Sequence, residues 1–304
     1  MEQNATIPCY YRIRFCQDLE TKTLLSRGSS RIRCNLQIMA AVAGGVAGGV
    51  AAGLSSSSGE SENIPRKVNN FISQILPKLD KNSIAKREMK LCEGYCLLWH
   101  HRGLGTVNGR KTSDKLISCA YASVILDLWA ADKIDIEVRG KLTDECVKAV
   151  IKVLDATKTG SFLDGAGFSE MIAVHERGNV RDLKDWIEYC VIGDADKNCV
   201  SVVLDYFVEK GIIGKESKWF GMKRTYPTKN KEPQIQLLLE VRRITLRDEV
   251  PDGFMSALLA ILRFADSLHN TEDPLLRRYY NDTEYDKAKP RLDEILRSSG
   301  IKVL

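Results

Sequence analysis

Residues 114–138 read DKLISCAYASVILDLWAADKIDIEV, and this stretch decides the fold. Leu116, Ile117, Ala120, Val124, Leu128 and Trp129 recur at helical spacing, which predicts a strongly apolar helix over 114–131 and makes it the expected central core helix. From Lys133 the period changes to two. Ile134, Ile136 and Val138 alternate with Asp135 and Glu137, the pattern of a half-buried strand over 133–138.

Working outward from it, the N-terminal side carries Ile64, Val68, Phe71, Ile72, Ile75 and Leu79 on one helical face, with Pro77 expected to end or kink that helix. A second helix is expected over 84–100, with Leu91, Tyr95, Leu98 and Trp99 inward, followed by a basic loop punctuated by Gly103, Gly105 and Gly109. On the C-terminal side, 139–165 is mixed, with a second strand suggested over 150–154. Helices are expected over 180–191 and 199–210, the latter stopped by Gly211. The segment IIGKESKWFGMKRTYP (212–227) reads as a hairpin with apolar arms around a turn at Gly214–Lys218. Three more helices close the chain, at 233–246, at 252–269 opening on Pro251-Asp252, and at 285–298. The expected architecture is mainly α: a single multi-helix domain over 63–304, built around a central apolar helix with a small β-hairpin and preceded by an unstructured leader. No self-similarity of 20 to 50 residues is visible, which argues against a solenoid.

Of the 304 residues, 44% are apolar and 28% charged, the balance of a globular protein rather than a disordered one. The net charge of +5 is too small and dispersed to attract nucleic acid by bulk charge. Nine cysteines, an odd count without paired short spacings, give neither a disulfide framework nor a zinc pattern, which fits a reducing compartment. Up to Cys34 there is no period, and six basic residues (Arg12, Arg14, Lys22, Arg27, Arg31, Arg33) outnumber three acidic ones. Ile32-Arg33-Cys34 resembles the signature preceding cleavage of a chloroplast transit peptide, so 1–34 reads as such a leader. Glu2, Asp18 and Glu20 count against it, and a plain disordered tail is the alternative. Residues 35–62 read as an Ala/Gly/Ser-rich linker. Its uncharged run 38–54 has small-xxx-small spacing at the lower length limit of a membrane span, but Gly at that density disfavours a helix.

Several motifs fail on their chemistry. Gly105 and Gly109 are too close for a phosphate loop, and Arg110 intervenes. Asp194, Asp196 and Asn198 open like a calcium loop, yet Cys199 stands where Gly must turn and Asp205 where Glu must chelate, so these residues are better read as serving the following helix start. Cys92 and Cys96, four apart, read as core packing. No nucleophile, metal cluster or acid–base pair is apparent, so no catalytic residue, metal or cofactor is expected.

The surface offers a different chemistry. Trp219, Phe220 and Met222 lie at the hairpin among Lys218, Lys223 and Arg224, while Arg110, Lys111 and Lys197 precede helices. Aromatic rings interleaved with cations suit an anionic bilayer, because the rings insert while the cations meet phosphates. Each such cation contributes about 1 kcal/mol. The competing reading is that both rings fold back onto the core.

The colinear run CAYASVILDLWAADKIDIE (119–137), DWIEYC (185–190), FVEKGIIG (207–214) and ALLAILRFADSLHN…LLRRYYNDTEYDKAKPRLDEIL (257–296) resembles the Golgi phosphoprotein 3 family over about residues 84–298. The resemblance implies a mainly α, non-enzymatic peripheral membrane adaptor. Such proteins bind phosphatidylinositol 4-phosphate on the cytosolic face of the Golgi, insert a hydrophobic hairpin, and connect membrane-protein tails to coat proteins. The family's pocket, one Trp and three Arg, falls at Thr112, Tyr121, Lys197 and Val200. Only Lys197 keeps a positive charge, with Arg110 and Lys111 nearby in sequence as partial substitutes. The alternative is a soluble plastid interaction domain that kept the scaffold and lost phosphoinositide binding. The N-terminal arginines serve either reading, as a coat-binding cluster or as part of a transit peptide.

If the leader is a transit peptide, N-terminal sequencing of the mature protein should begin near Asn35. An intact Met1 or a blocked Glu2 terminus would remove the plastid reading.

Overall fold

The computed structural model describes residues 64–101, 106–107, 113–140, 148–192, 198–218, 223–269 and 274–298. The leader, the linker with its apolar run 38–54, and the calcium-like Asp194 and Asp196 lie outside these residues. The central helix is present as α4, Asp114–Ala130, with fourteen of its seventeen residues buried. A helix apolar nearly all round needs partners on every side. Here they are α1 (Ile64–Ile75), α2 (Lys81–Lys86), α3 (Leu91–Trp99), α6 (Leu183–Ile192), α7 (Cys199–Glu209) and α9 (Gly253–His269). The fold is therefore mainly α, as expected.

α4 ends in a tight reversal. Asp132 adopts φ 57°, and the Lys133 N–H donates to the Leu128 carbonyl at 3.0 Å. The chain then enters β3 (Ile134–Arg139), which pairs antiparallel with β4 (Lys148–Val153) from Ile134↔Val153 to Arg139↔Lys148. The suggested second strand is this β4, and Ile134, Ile136, Ala149 and Ile151 bury its inner face. A third strand, β5 (Arg181–Asp182), adds to β4 at Ile151 and Val150.

Three expectations are corrected and one element is added. The single helix over 84–100 is two helices, α2 and α3, because the chain is extended at Arg87 (φ −70°, ψ 134°) and a new helix starts at Leu91. Arg87 is fastened in that extended link by Glu240 at 2.5 Å. The helix expected from 180 begins only at Leu183, since Arg181 and Asp182 are taken up by strand pairing. Gly214–Lys218 is not the hairpin turn: Glu216, Ser217 and Lys218 form β6 (Glu216–Lys218), which pairs with β7 (Lys223–Thr225), so the arms are polar, not apolar. Finally, the stretch after the mixed region contains an unforeseen π-turn, Asp164–Phe168, leading into α5 (Ser169–Glu176). Asp164 organises its approach by accepting from the Thr159 and Gly160 N–H groups, both at 2.9 Å.

The remaining elements follow the sequence signals. α1 gives way at Pro77 to a 3₁₀ turn, Leu76–Lys78. Asn198 caps α7 by accepting from the Ser201 N–H at 2.9 Å, and Gly211 (φ 69°) ends it. α8 (Glu232–Leu246) precedes α9, whose first turn is capped by Asp252 through the Met255 N–H at 2.7 Å. α10 (Asp282–Ser298) completes the shell and is joined to α8 by an Arg242–Glu284 ion pair. A small pair of strands, β1 (His100–His101) and β2 (Thr106–Val107), extends the end of α3. Cys92, Cys96, Cys119 and Cys199 are buried free thiols, and Cys190 is half-buried. Cys92 and Cys96 belong to the core, as their spacing suggested.

The one charge in the inner face of α4 is Asp127, 3% exposed. Its two carboxylate oxygens accept from the first N–H groups of α3, Leu91 at 2.8 Å and Cys92 at 3.0 Å. Glu93 adds the Lys90 N–H at 2.7 Å. Helix starts leave such donors without intrahelical partners, so α4 satisfies the start of α3 across the core. Burial pushes Asp127 up to about 7, against the lowering pull of the Cys92 and Leu91 N–H groups.

Between about pH 4 and pH 7 the folded chain thus retains a proton that the unfolded chain releases, so this group's contribution to stability declines as pH rises through that window. Asp127→Asn offers one acceptor where two donors wait. Urea titration should show a loss of about 1–3 kcal/mol at neutral pH. The gap between wild type and variant should widen as pH is lowered toward 4.

Candidate functional site

The expected headgroup residues Arg110, Lys111 and Lys197, and the tip residues Trp219, Phe220 and Met222, lie outside the described residues. Their flanks are described. Arg110 and Lys111 precede α4, Lys197 precedes α7, and these two helix starts are neighbours. The Cys199 Sγ in the first turn of α7 lies 3.6 Å from the Ile117 carbonyl in the first turn of α4. Each helix start carries a partial positive charge, offset on α4 by Asp114 in its first turn. The fold therefore brings the anchor points of the basic segment that carries Arg110 and Lys111 and of the segment that carries Lys197 beside Asp194 and Asp196 to one place.

Of the other three positions implied by the resemblance, Thr112 lies outside the described residues, and Tyr121 and Val200 do not face solvent; they are 1% and 0% exposed. The Tyr121 ring packs on Gly167, where a Cβ would stand only 2.6 Å from the ring and φ is 144°. Burial pushes the Tyr121 hydroxyl well above its usual range. Both side chains serve the core and offer no contact to a phosphate.

The hairpin is seated on a rigid base. Ile213 bridges Thr228, the Gly214 N–H donates to the Pro227 carbonyl at 2.7 Å, and the Lys229 and Asn230 N–H groups both reach the Ile212 carbonyl at 3.0 Å. Ile213, Thr225 and Tyr226 are buried there. His100 Nε2 lies 2.7 Å from the Tyr226 carbonyl and, with its proton on that nitrogen, donates to it. Gln234 Nε2 in turn donates to the His100 carbonyl at 3.0 Å. Lys215 and Asp205, 2.6 Å apart, tie the approach to β6 onto α7. Above this base the three register pairs are Glu216↔Thr225, Ser217↔Arg224 and Lys218↔Lys223, with Arg224 exposed. The two lysines close the ladder on either side of residues 219–222.

His100 and Gln234 escaped the sequence reading, since neither lies in a recognisable pattern. Adjacent His100-His101 was the available signal, but nothing in it points to a carbonyl 126 positions away. Among the described residues no three His, Cys, Asp or Glu side chains converge as a metal site, and no helix is long and apolar enough to cross a membrane.

The features together define a helical domain that holds a short, cation-flanked hairpin on a braced base at the C-terminal end of α7 and brings two helix starts together at the other end of that helix. The family model described as Golgi phosphoprotein 3 (GPP34) matches residues 91–302, and the chain belongs to that family. No curated protein matches it.

Burial lowers His100 below its ordinary value of 6.5. The unfolded chain therefore takes up a proton that the fold resists, and this contribution is intact above about pH 6.5 and lost as pH falls below it. His100→Leu should leave the Tyr226 carbonyl unpaired, cost about 1–2 kcal/mol in urea titration, and speed amide exchange in β6 and β7. It should also flatten the decline of stability below pH 6.5 relative to wild type.

Proposed function

We propose that the chain is a peripheral, lipid-binding adaptor that docks through the hairpin onto an anionic membrane. Membership of the Golgi phosphoprotein 3 family supports a lipid and adaptor role of non-enzymatic kind. The observation that carries the proposal is the hairpin itself: a braced base, polar arms, and a Trp219-Phe220-Gly221-Met222 tip between the paired Lys218 and Lys223. Apart from Thr225 at the base the arms are polar and carry no apolar side chain into the core, so a strongly apolar tip sequence at their end needs another apolar environment. Lys197, Arg110 and Lys111, entering the paired helix starts, are the proposed headgroup contacts. Membrane-protein tails and coat proteins are the proposed protein partners. The family's Golgi association favours the cytosolic face of that organelle, and the plastid reading rests on the leader alone.

The headgroup preference is expected to be weak. Thr112, Tyr121 and Val200 replace groups that pair bidentately with phosphate, and the burial of Tyr121 and Val200 leaves basic loop residues as the remaining donors. That same burial favours a second reading, a protein-interaction domain without phosphoinositide binding.

Flotation with phosphatidylcholine vesicles doped with phosphatidylserine or phosphatidylinositol 4-phosphate at equal charge separates the two. The adaptor reading expects binding that follows total negative charge and weakens with salt. Replacing Trp219 and Phe220 together by Ala should weaken it at least tenfold, about 1.4 kcal/mol, with thermal stability nearly unchanged. No flotation at any charge favours the second reading. A double variant that unfolds assigns the rings to the core.

A further inference from the structure

A separate surface lies behind the three-stranded sheet. β5 pairs with β4 only at Val150 and Ile151, whereas β4 runs on through Lys152 and Val153. Beyond β5 a groove of about 280 Å³ opens between the end of β4, helix α5 and the start of α6. The Leu154 N–H is committed to the Lys133 carbonyl on the β3 side at 2.9 Å. By strand alternation the peptide groups of Val153 point the other way, toward the groove. Asn179, the next residue that could have paired there, instead gives its N–H to the Val174 carbonyl at 3.2 Å. The edge of β4 is thus left open over a short stretch.

The walls are apolar. Met171, Val174 and Trp186 are buried at the floor, while Leu154 and Val180 on the rim are 60% and 63% exposed. The titratable side chains lining the groove are Lys152, His175 and Arg181, with no carboxylate among them. Lys152 is already 2.6 Å from Glu137. Arg181 is held differently: its guanidinium lies over the Trp186 ring at 5.2 Å and the Tyr189 ring at 5.6 Å, and it joins no ion pair among the described residues. A stacked guanidinium keeps its N–H edge free for a carboxylate.

We propose that this groove docks an extended segment of a partner protein that alternates aliphatic side chains with carboxylates. The open strand edge selects an extended backbone, which places every second side chain on one face. The apolar walls take the aliphatic groups, and Arg181 takes a carboxylate. A volume at the low end of ligand pockets suits one or two side chains and is small for a cofactor. The inference stands independently of membrane binding.

The test uses the full chain and fluorescein-labelled hexapeptides with Leu or Val at positions two and four and Asp or Glu elsewhere. A matched set carries Lys or Arg in place of the acids. Fluorescence polarisation should find binders in the acidic set alone, and both Arg181→Glu and Leu154→Asp should weaken them at least tenfold without lowering the melting temperature. Val180→Asp, at another exposed rim position, provides an independent variant should either of these lose stability. The proposal is overturned if no acidic peptide exceeds the basic set, or if binding persists unchanged in Arg181→Glu and Val180→Asp. Sedimentation without peptide checks the other occupant: a dimer that Leu154→Asp dissociates would assign the groove to a second copy of this chain.

Discussion

Everything in this fold is arranged around a carboxylate placed where carboxylates are costly. Asp127 sits within the enclosed helix α4 and accepts the opening N–H groups of α3. A buried charge is tolerated when it is fully hydrogen-bonded, and a helix start is a ready source of donors. The bond pair also fixes where α3 begins, which explains why the apolar run from 84 to 100 is broken into two helices. The position of α3 then propagates: its last residues lead into His100, and His100 braces the hairpin base through the Tyr226 carbonyl. A single interaction in the core is in this way connected, through one short helix, to the base of the hairpin.

The hairpin is braced at its base and polar along its arms. Its base carries backbone bonds on both sides and buried Ile213 and Tyr226, whereas its arms are Glu, Ser, Lys, Arg and Thr. Little of the domain's stability depends on such arms, so the tip can be specialised for another medium at small cost to the fold. The paired starts of α4 and α7 show the same separation. The helices beneath them are core at Tyr121 and Val200, so those two positions are closed to any ligand.

Much of this was legible in the sequence because it is periodic. The apolar run of α4, the alternation of β3, the Asp252 cap and the Gly211 stop all express local rules that hold wherever the chain folds. What escaped was set by distant partners. Arg181 and Asp182 have acceptable helical neighbours in sequence and became a strand only because β4 offered an edge. Residues 216–218 became an arm rather than the turn because Gly214 and Ile213 are engaged with Pro227 and Thr228, which fixes the register. Asp127 carried no signal in the apolar run of α4, because its role requires the start of α3 at Leu91, thirty-six positions upstream, to be in place. Of the candidate site, residue types and flanking helices could be read, while its braced foundation through His100 and Gln234 could not.

The buried thiols give the molecule an internal record of its own opening. Burial raises Cys92 and Cys199 well above the usual thiol range and Cys119 to about 12, which keeps them as unreactive thiols while the helices stay closed. Half-buried Cys190 differs: hydrogen bonding from Cys199 draws it below its ordinary value. Among the described cysteines an alkylating reagent therefore meets two populations, one answering to the native surface and one only to excursions in which α3, α4 and α7 part. The order in which these cysteines are modified is a chronology of which helices separate first, written in the protein's native side chains without any added label.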